Sequence, residues 1–226
     1  MTASARDAWD RWAPVYLPLE RFLLGRTLER TRTQVAALAA GERGSGSASA
    51  PWLVVGDGDG RGIARLLGAL PGSPLISVDV SGAMLQRARR RITREERDRT
   101  RWVQARLPQG LPEFGPVAGI VTTFFLDCFN QEELARVWRR LATGLEPGGL
   151  WIVADFTHPL SLEGWRRLRQ GTLLALLYQA FRWTTPIQAR RLPCLDQPFT
   201  GASWRRTGAW RSPGGLTTIS VWRKPG

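Results

Sequence analysis

Short apolar runs alternate with longer stretches in which apolar positions recur at helical spacing. Trp52–Gly56, Leu75–Val80, Trp102–Gln104, Val117–Phe125 and Leu150–Phe156 read as strands. Between them, Ile63–Leu70, Ala83–Arg97 and Gln131–Leu145 read as helices. In the last of these Leu134, Val137, Trp138 and Leu141 share one face, and Glu146-Pro147-Gly148-Gly149 ends it. The outer face of 83–97 is coated with arginine. Apolar strands alternating with helices predict an α/β protein whose parallel sheet is covered on both faces. The pattern then changes. Trp204–Trp210 and Leu216–Trp222 flank Ser212-Pro213-Gly214-Gly215, a hairpin signature, so the sheet should finish with an antiparallel pair.

The two ends of this core differ from it. Residues 7–39 read as helix, with Trp9, Trp12, Val15, Leu19, Phe22 and Leu23 at helical spacing and Pro14 and Pro18 breaking the segment. Gly41–Ser47 has linker composition. The expected organisation is an N-terminal helical segment and linker over 1–50, then one domain over 51–226. A helical, lid-like insertion is expected at about 161–192 within that domain. For 161–183 three readings stand open: a lid over an apolar pocket, an amphipathic helix in peripheral contact with an anionic membrane, and an ordinary helix packed on the sheet.

Composition narrows the class. With 43% hydrophobic and 23% charged residues, the chain is neither disordered nor membrane-spanning. Its start lacks the apolar core of a secretory signal, so a cytoplasmic location is expected. Two cysteines, Cys128 and Cys194, and one histidine, His158, leave nothing from which to build a Cys/His metal cluster or a disulfide framework. No metal site is expected.

The formal net charge is +13. Residues 1–50 and 51–155 each carry +2, and residues 156–226 carry +9. Every basic residue except Lys224 is arginine. The excess in the last third suits an acidic partner, nucleic acid among them, or reflects coding bias.

The sharpest local feature is Val54-Val55-Gly56-Asp57-Gly58-Asp59-Gly60-Arg61. Alternate glycines after a buried strand allow a tight turn and close approach of backbone to a ligand, and the next helix offers N–H groups at its start. The spacing matches neither the dinucleotide fingerprint nor a phosphate loop. Asp79 ends the second strand about 20 residues on, where a carboxylate can accept from ribose hydroxyls. Met84 follows, placed to pack on an aromatic ring or in the core.

Three segments, Val55-Gly56-Asp57-Gly58-Asp59-Gly60, Val78-Asp79-Val80-Ser81-Gly82-Ala83-Met84-Leu85 and Leu145-Glu146-Pro147-Gly148-Gly149-Leu150, occur in the order and spacing of one family. Over roughly residues 51–156 the sequence resembles the class I S-adenosylmethionine-dependent methyltransferases. Trp9-Asp10-Arg11-Trp12-Ala13-Pro14-Val15-Tyr16 also looks like the leading segment of the small-molecule enzymes, which folds over the cofactor. The resemblance implies a Rossmann-like seven-stranded, mostly parallel sheet in the order 3-2-1-4-5-7-6, with S-adenosylmethionine as cofactor. It implies that Gly56, Gly58 and Gly60 line the methionine portion, that Asp79 holds the ribose hydroxyls, and that Val80 and Met84 flank the adenine. Thr123 and Phe124 should face the sulfonium and the acceptor.

Two positions depart from the family. Val54 stands where many members have an acidic residue, and Asp57 or Asp59 is the candidate to supply that charge. Arg106 stands where many have an aspartate that accepts from the adenine amino group. Arginine cannot accept, which leaves Gln104 or backbone for that role.

The segment after the fourth strand, Thr122–Asn130, lacks the Asp/Asn-Pro-Pro-Tyr/Phe motif of enzymes that methylate amino groups of bases. Asp127 is its only carboxylate. It reads either as a catalytic base or substrate anchor, or as the N-cap of the next helix. Cys128 reads as a small buried side chain and His158 as an ordinary loop histidine, with a base role open. The resemblance implies methyl transfer to a small acceptor, apolar or lipid-like. An RNA- or protein-directed methyltransferase using the basic last third, and a non-catalytic cofactor-binding module, are the alternatives.

Overall fold

The computed structural model describes residues 24–42, 50–158, 163–165, 168, 170–172 and 192–226. The leading segment around Trp9–Tyr16 and most of 161–191 lie outside the described residues. Seven strands form one sheet: β1 (Trp52–Val55), β2 (Leu75–Asp79), β3 (Thr100–Gln104), β4 (Val117–Thr123), β5 (Leu145–Phe156), β6 (Arg205–Arg211) and β7 (Thr217–Arg223). The order across the sheet is β3-β2-β1-β4-β5-β7-β6. The first five are parallel, and β7 runs antiparallel to both β5 and β6. This is the expected topology, closing hairpin included.

Period-two alternation splits the core into two layers. Leu53, Val55, Ile76, Val78, Ile120, Trp151 and Val153 point to one face. There they meet Leu134, Val137 and Leu141 of α5 (Gln131–Gly144), and an aromatic group of Phe199, Trp204 and Trp222. Trp52, Val54, Val121, Ile152 and Ala154 point to the other. There they meet Val35, Ala36 and Ala39 of α1 (Gly25–Gly41) and Ile63, Leu66 and Leu67 of α2 (Arg61–Ala69). On α1 the buried positions Leu28, Arg32, Val35, Ala36 and Ala39 form one helical stripe, so this helix packs into the same core as β1.

Among the expected boundaries that shift, three have a clear local reason. The helix expected over 83–97 is two helices, α3 (Gly82–Arg91) and α4 (Arg94–Asp98). They part at Ile92-Thr93, where a capping box starts the second: the Glu96 N–H donates to Thr93 Oγ1 at 3.2 Å, and Glu96 Oε2 accepts from the Thr93 N–H at 2.9 Å. β5 begins at Leu145 rather than Leu150, because Leu145 already pairs with Val117 across a register irregularity in β4. β4 ends at Thr123, because Phe124 turns to a positive φ of 53°.

Cationic side chains close helix ends here. Arg99 donates to the carbonyls of Leu67, Leu70 and Ser73 at the end of α2. Lys224 Nζ does the same for Ala142 and Leu145 at the end of α5. Among the described residues no helix is long and apolar enough to cross a membrane.

Trp52 faces Gly119 across the β1–β4 pair, and a Cβ on Gly119 would stand 2.5 Å from the indole. Gly119→Ala should therefore lower stability by about 1–3 kcal/mol through overpacking. Urea unfolding checks this; an unchanged midpoint would mean that the indole has room to yield.

Candidate active site

β1 leaves the core through a turn in which Gly56, Gly58 and Gly60 all have positive φ, at 73°, 62° and 82°. Only glycine adopts such a series without strain. Two of these glycines are also packed against neighbours. A Cβ on Gly56 would collide with the Phe125 ring, and one on Gly60 would stand 2.5 Å from Ala88 of α3. Gly58 differs: a Cβ there would meet nothing within 4 Å. Its amide nevertheless has a fixed direction, since its N–H donates to Asp79 Oδ2 at 3.1 Å.

Asp79 ends β2 half-buried and joins two turns. Its other oxygen accepts from the Ser81 N–H at 2.9 Å, and Ser81 Oγ caps α3 by accepting from the Met84 N–H at 3.1 Å. Beside it in register, at the end of β3, Gln104 donates to the Val80 carbonyl at 3.2 Å. Met84 is buried, while Val80 is half-buried and Gln104 exposed. Arg106, two residues further, is exposed.

The two aspartates between the glycines face away from the open turn. Asp57 accepts from the amides of Gly62 (3.1 Å) and Ile63 (2.9 Å) and so satisfies the first turn of α2. A Cβ on Gly62 would collide with this carboxylate, so glycine is required there. Burial pushes the Asp57 carboxyl up to about 6, against the pull of the nearby Arg32 guanidinium and the two amides. Asp59 pairs with Arg61 Nε at 2.9 Å and Arg91 Nη2 at 2.7 Å. Val54 points into the core with α1 and α2, so that position presents no charge to the turn.

Beyond β4, Thr123 is buried and Phe124 half-buried. The left-handed Phe124 backbone is a strained conformation of order 1–3 kcal/mol for a non-glycine residue. Its ring packs on Phe156 at 5.4 Å, and the Arg32 guanidinium lies 5.5 Å from its centroid. Leu24, just before α1, Leu28 of α1, Phe156, Leu192 and Leu216 complete an apolar group around it. Gln170 ties into this region, donating to the carbonyls of Thr157 and Leu216 at 2.9 Å.

Asp127 lies buried on a 3₁₀ turn, Leu126–Cys128. Its N–H donates to Asp155 Oδ2 at 3.2 Å. It does not cap the following helix: Asn130 does, accepting from the Glu133 N–H at 2.9 Å. Asp155, on β5, is 1% exposed, and burial followed by the negative charge of Asp127 pushes its carboxyl well above the usual range. Cys128 donates to Asp127 Oδ1 at 3.5 Å, and its thiol is pushed up by burial and by these carboxylates, so it keeps its proton and is no nucleophile. His158 lies half-buried past the end of β5.

Residues 53–149 match a family model described as a methyltransferase domain. The chain has the class I methyltransferase fold. Among solved structures it is similar to the mitomycin 7-O-methyltransferase MmcR, at 18% identity and a TM-score of 0.67, covering 96% of this chain and 60% of that one. It is also similar to an O-methyltransferase family 2 protein from Planctomyces limnophilus solved with apigenin, at 17% and 0.68, covering 99% and 62%. The N-methyltransferase NodS from Bradyrhizobium japonicum, solved with S-adenosyl-L-homocysteine, gives 15% and 0.67 and covers 99% and 100%. The chain spans about three fifths of the length of the first two. At such identities the likeness is one of fold. No curated protein matches the sequence.

In a methyltransferase fold, as in other open α/β sheets, ligands bind beyond the carboxyl ends of the strands. The structure brings Gly56, Asp57, Gly58, Gly60, Asp79, Thr123, Phe124 and Asp127 to that edge through the ends of β1, β2 and β4. Val80, Met84 and Gln104 stand at its β2–β3 side. Three residues there escape the sequence reading. Phe125 roofs Gly56. Asp155 faces Asp127, and its signal was visible as a lone acid in the apolar run Leu150–Phe156. Arg32 reaches the edge from α1, and nothing in its local sequence announces it.

Folding raises the proton affinity of Asp57, so its stabilising contribution is complete below about pH 4 and is lost as pH rises to about 6. The stability advantage of wild type over Asp57→Asn should therefore shrink across that window, by about 3 kcal/mol, and stay flat above it. Thermal or urea unfolding at a series of pH values measures this; a constant difference would show that folding leaves the proton affinity of Asp57 unchanged.

Proposed function

We propose that this chain transfers a methyl group from S-adenosylmethionine to a small, apolar acceptor. The observation that carries the reading is the Asp79–Gly58 hydrogen bond beside the open face of Gly58. It sets a half-buried carboxylate next to a turn with no side chain in the way, the arrangement that a ribose and its attached chain require. The cofactor supplies an electrophilic methyl group when bound.

The chain's own residues divide the remaining tasks. Asp79 accepts from the ribose hydroxyls while its backbone-anchored carboxylate keeps the turn in shape. Gly56, Gly58 and Gly60 let backbone approach the methionine portion. Val80 and Met84 flank the adenine, and Gln104, already fixed on the Val80 carbonyl, stands where its amino group would be read. Thr123 and Phe124 face the reacting centre. Much of the rate in such a displacement comes from holding the acceptor in line.

Asp127 takes the proton that an oxygen or nitrogen acceptor gives up. Asp155, whose proton affinity burial and the Asp127 charge raise, lies beside it and accepts from its N–H. The apolar group of Leu24, Leu28, Phe124, Phe156, Leu192 and Leu216 supports an acceptor of low polarity.

Calorimetry with S-adenosylhomocysteine tests the reading directly. Binding is expected, and Asp79→Ala should weaken it roughly tenfold to a hundredfold while the protein stays folded. Absence of heat at high micromolar cofactor would overturn the reading. With a labelled methyl group and a panel of apolar hydroxyl and amine acceptors, Asp127→Asn should lower turnover by about 10²–10⁴-fold while leaving cofactor affinity in place. Undiminished turnover would remove Asp127 as the base.

A further inference from the structure

Arginine is not spread evenly over the alternating part of the chain. Residues 82–106 carry nine arginines and three acidic residues, whereas the rest of 51–155 carries five arginines and nine acids. Coding bias would not sort charge in this way.

The fold gathers this stretch at one edge of the sheet. β3 stands first in the sheet order and, among the described residues, pairs only with β2, so its other side is open. Met84, Leu85 and Ala88 bury one face of α3, and Arg89 and Arg90 are exposed on another. Arg94 and Arg97, three apart on α4, are exposed as well. On β3, Arg101 and Trp102 point to opposite faces of the sheet. Arg101 is exposed, and so is Arg106 beyond the strand. The Arg89 guanidinium lies over the Trp102 ring, 5.4 Å from its centroid. Arginines therefore flank the open edge from both faces.

Some of them have structural work. Arg91 pairs with Asp59, and Arg99 closes the end of α2. Among the described residues, no ion pair neutralises Arg90, Arg94, Arg97, Arg101 or Arg106. Of the three acids in the stretch, Glu96 is engaged in the Thr93 capping box. Guarding an open strand edge against unwanted pairing accounts for Arg101. It does not account for the arginines of the two helices.

We infer that the edge formed by α3, α4 and β3 is a docking surface for the phosphate backbone of a nucleic acid, bound without regard to base sequence. Three considerations select this partner. The charge is all guanidinium, whose fork of donors matches phosphate oxygens. The exposed large apolar side chains of the described residues are Trp165 and Leu168, and neither lies here, so this surface has nothing to insert into a bilayer. A protein partner would also call for an apolar centre, because charged residues are depleted at the core of protein interfaces. Phosphate contacts need only charge and donors, and they supply essentially all of sequence-independent binding. The inference does not depend on the cofactor. It also places the contact away from the last third of the chain, where the formal charge is largest.

The test follows the fluorescence anisotropy of a labelled DNA duplex of about 20 base pairs, titrated with the full chain over a salt series. Wild type should bind at about 50 mM salt and lose about tenfold or more in affinity by about 200 mM. The triple variant Arg90→Gln, Arg94→Gln, Arg101→Gln should bind at least about tenfold more weakly at the lower salt. Its slope of log affinity against log salt should be shallower by about three. The same change of charge at the opposite edge of the sheet, Arg205→Gln with Arg206→Gln and Arg211→Gln on β6, should alter affinity by less than about threefold. Arg94→Gln alone should lower the slope by about one, and it carries the test if the first triple variant does not fold. A wild type that does not bind at the lower salt would overturn the inference, as would an equal loss in the two triple variants. Tighter binding to phosphatidylserine vesicles than to the duplex, lost in the first triple variant, would reassign the surface to a membrane and overturn it too.

Discussion

The carboxyl edge of the sheet depends on one constraint: a backbone that leaves β1 through three left-handed residues must be held in that path by groups outside it. Two carboxylates do so. Asp57 anchors the turn to the first amides of α2, and Asp79, from the neighbouring strand, anchors the Gly58 amide. Phe125 closes over Gly56, and Ala88 closes against Gly60. Only the Gly58 face is left open. The shape of the cleft therefore follows from where Cβ atoms are forbidden, and the same bonds that stabilise the turn fix the direction of the Gly58 amide.

Acidic groups gather at this edge although the molecule as a whole is strongly basic. Asp57, Asp79, Asp127 and Asp155 all come from strand ends or the turns just beyond them. Burial raises the proton affinity of both Asp57 and Asp155, but amides and a guanidinium oppose it at Asp57, whereas the neighbouring Asp127 charge adds to it at Asp155. Much of the arginine content is spent elsewhere. Arg99 closes a helix end, Arg89 lies on Trp102, and Arg206 lies on Trp222. A net charge summed over the chain thus says little about the charge that a ligand meets, which is set by a handful of side chains at the sheet edge.

The topology was legible because its signals are strong and local. Buried parallel strands write themselves as apolar runs, and Pro-Gly-Gly between two alternating runs can hardly be anything but a hairpin. The family resemblance supplied the strand order, which no periodicity encodes. What was not legible divides by cause. The break in 83–97 had a signal, Thr93-Arg94-Glu95-Glu96, but the arginine-rich helical pattern around it masked the capping box. Asp127 read as the cap of α5, but Asn130 is the cap, because β4 ends early at the positive φ of Phe124 and a 3₁₀ turn intervenes. Asp57 and Asp59 looked interchangeable as charges for the cofactor because sequence does not say which way a side chain in a turn points. The pairing of Asp127 with Asp155 joins the 3₁₀ turn after β4 to β5 across an intervening helix, invisible to any local window.

Arg32 shows why an element outside the recognised motifs matters to the site. A helix packs on a sheet through its apolar stripe, and the angle of packing decides which polar residue at the end of that stripe overhangs the strand ends. On α1, Val35, Ala36 and Ala39 fix the helix against β1 and α2, and the Thr31–Thr217 hydrogen bond of 2.7 Å ties it to β7. Those contacts carry Leu28 and Arg32 over the carboxyl edge as a consequence of helical geometry, one turn apart on the same face. Leu28 then joins the apolar group around Phe124, while Arg32 reaches the glycine turn. One helix thus lays an apolar and a cationic surface side by side above the strand ends, and the boundary between them runs across Phe124, the residue whose strained backbone both surfaces touch.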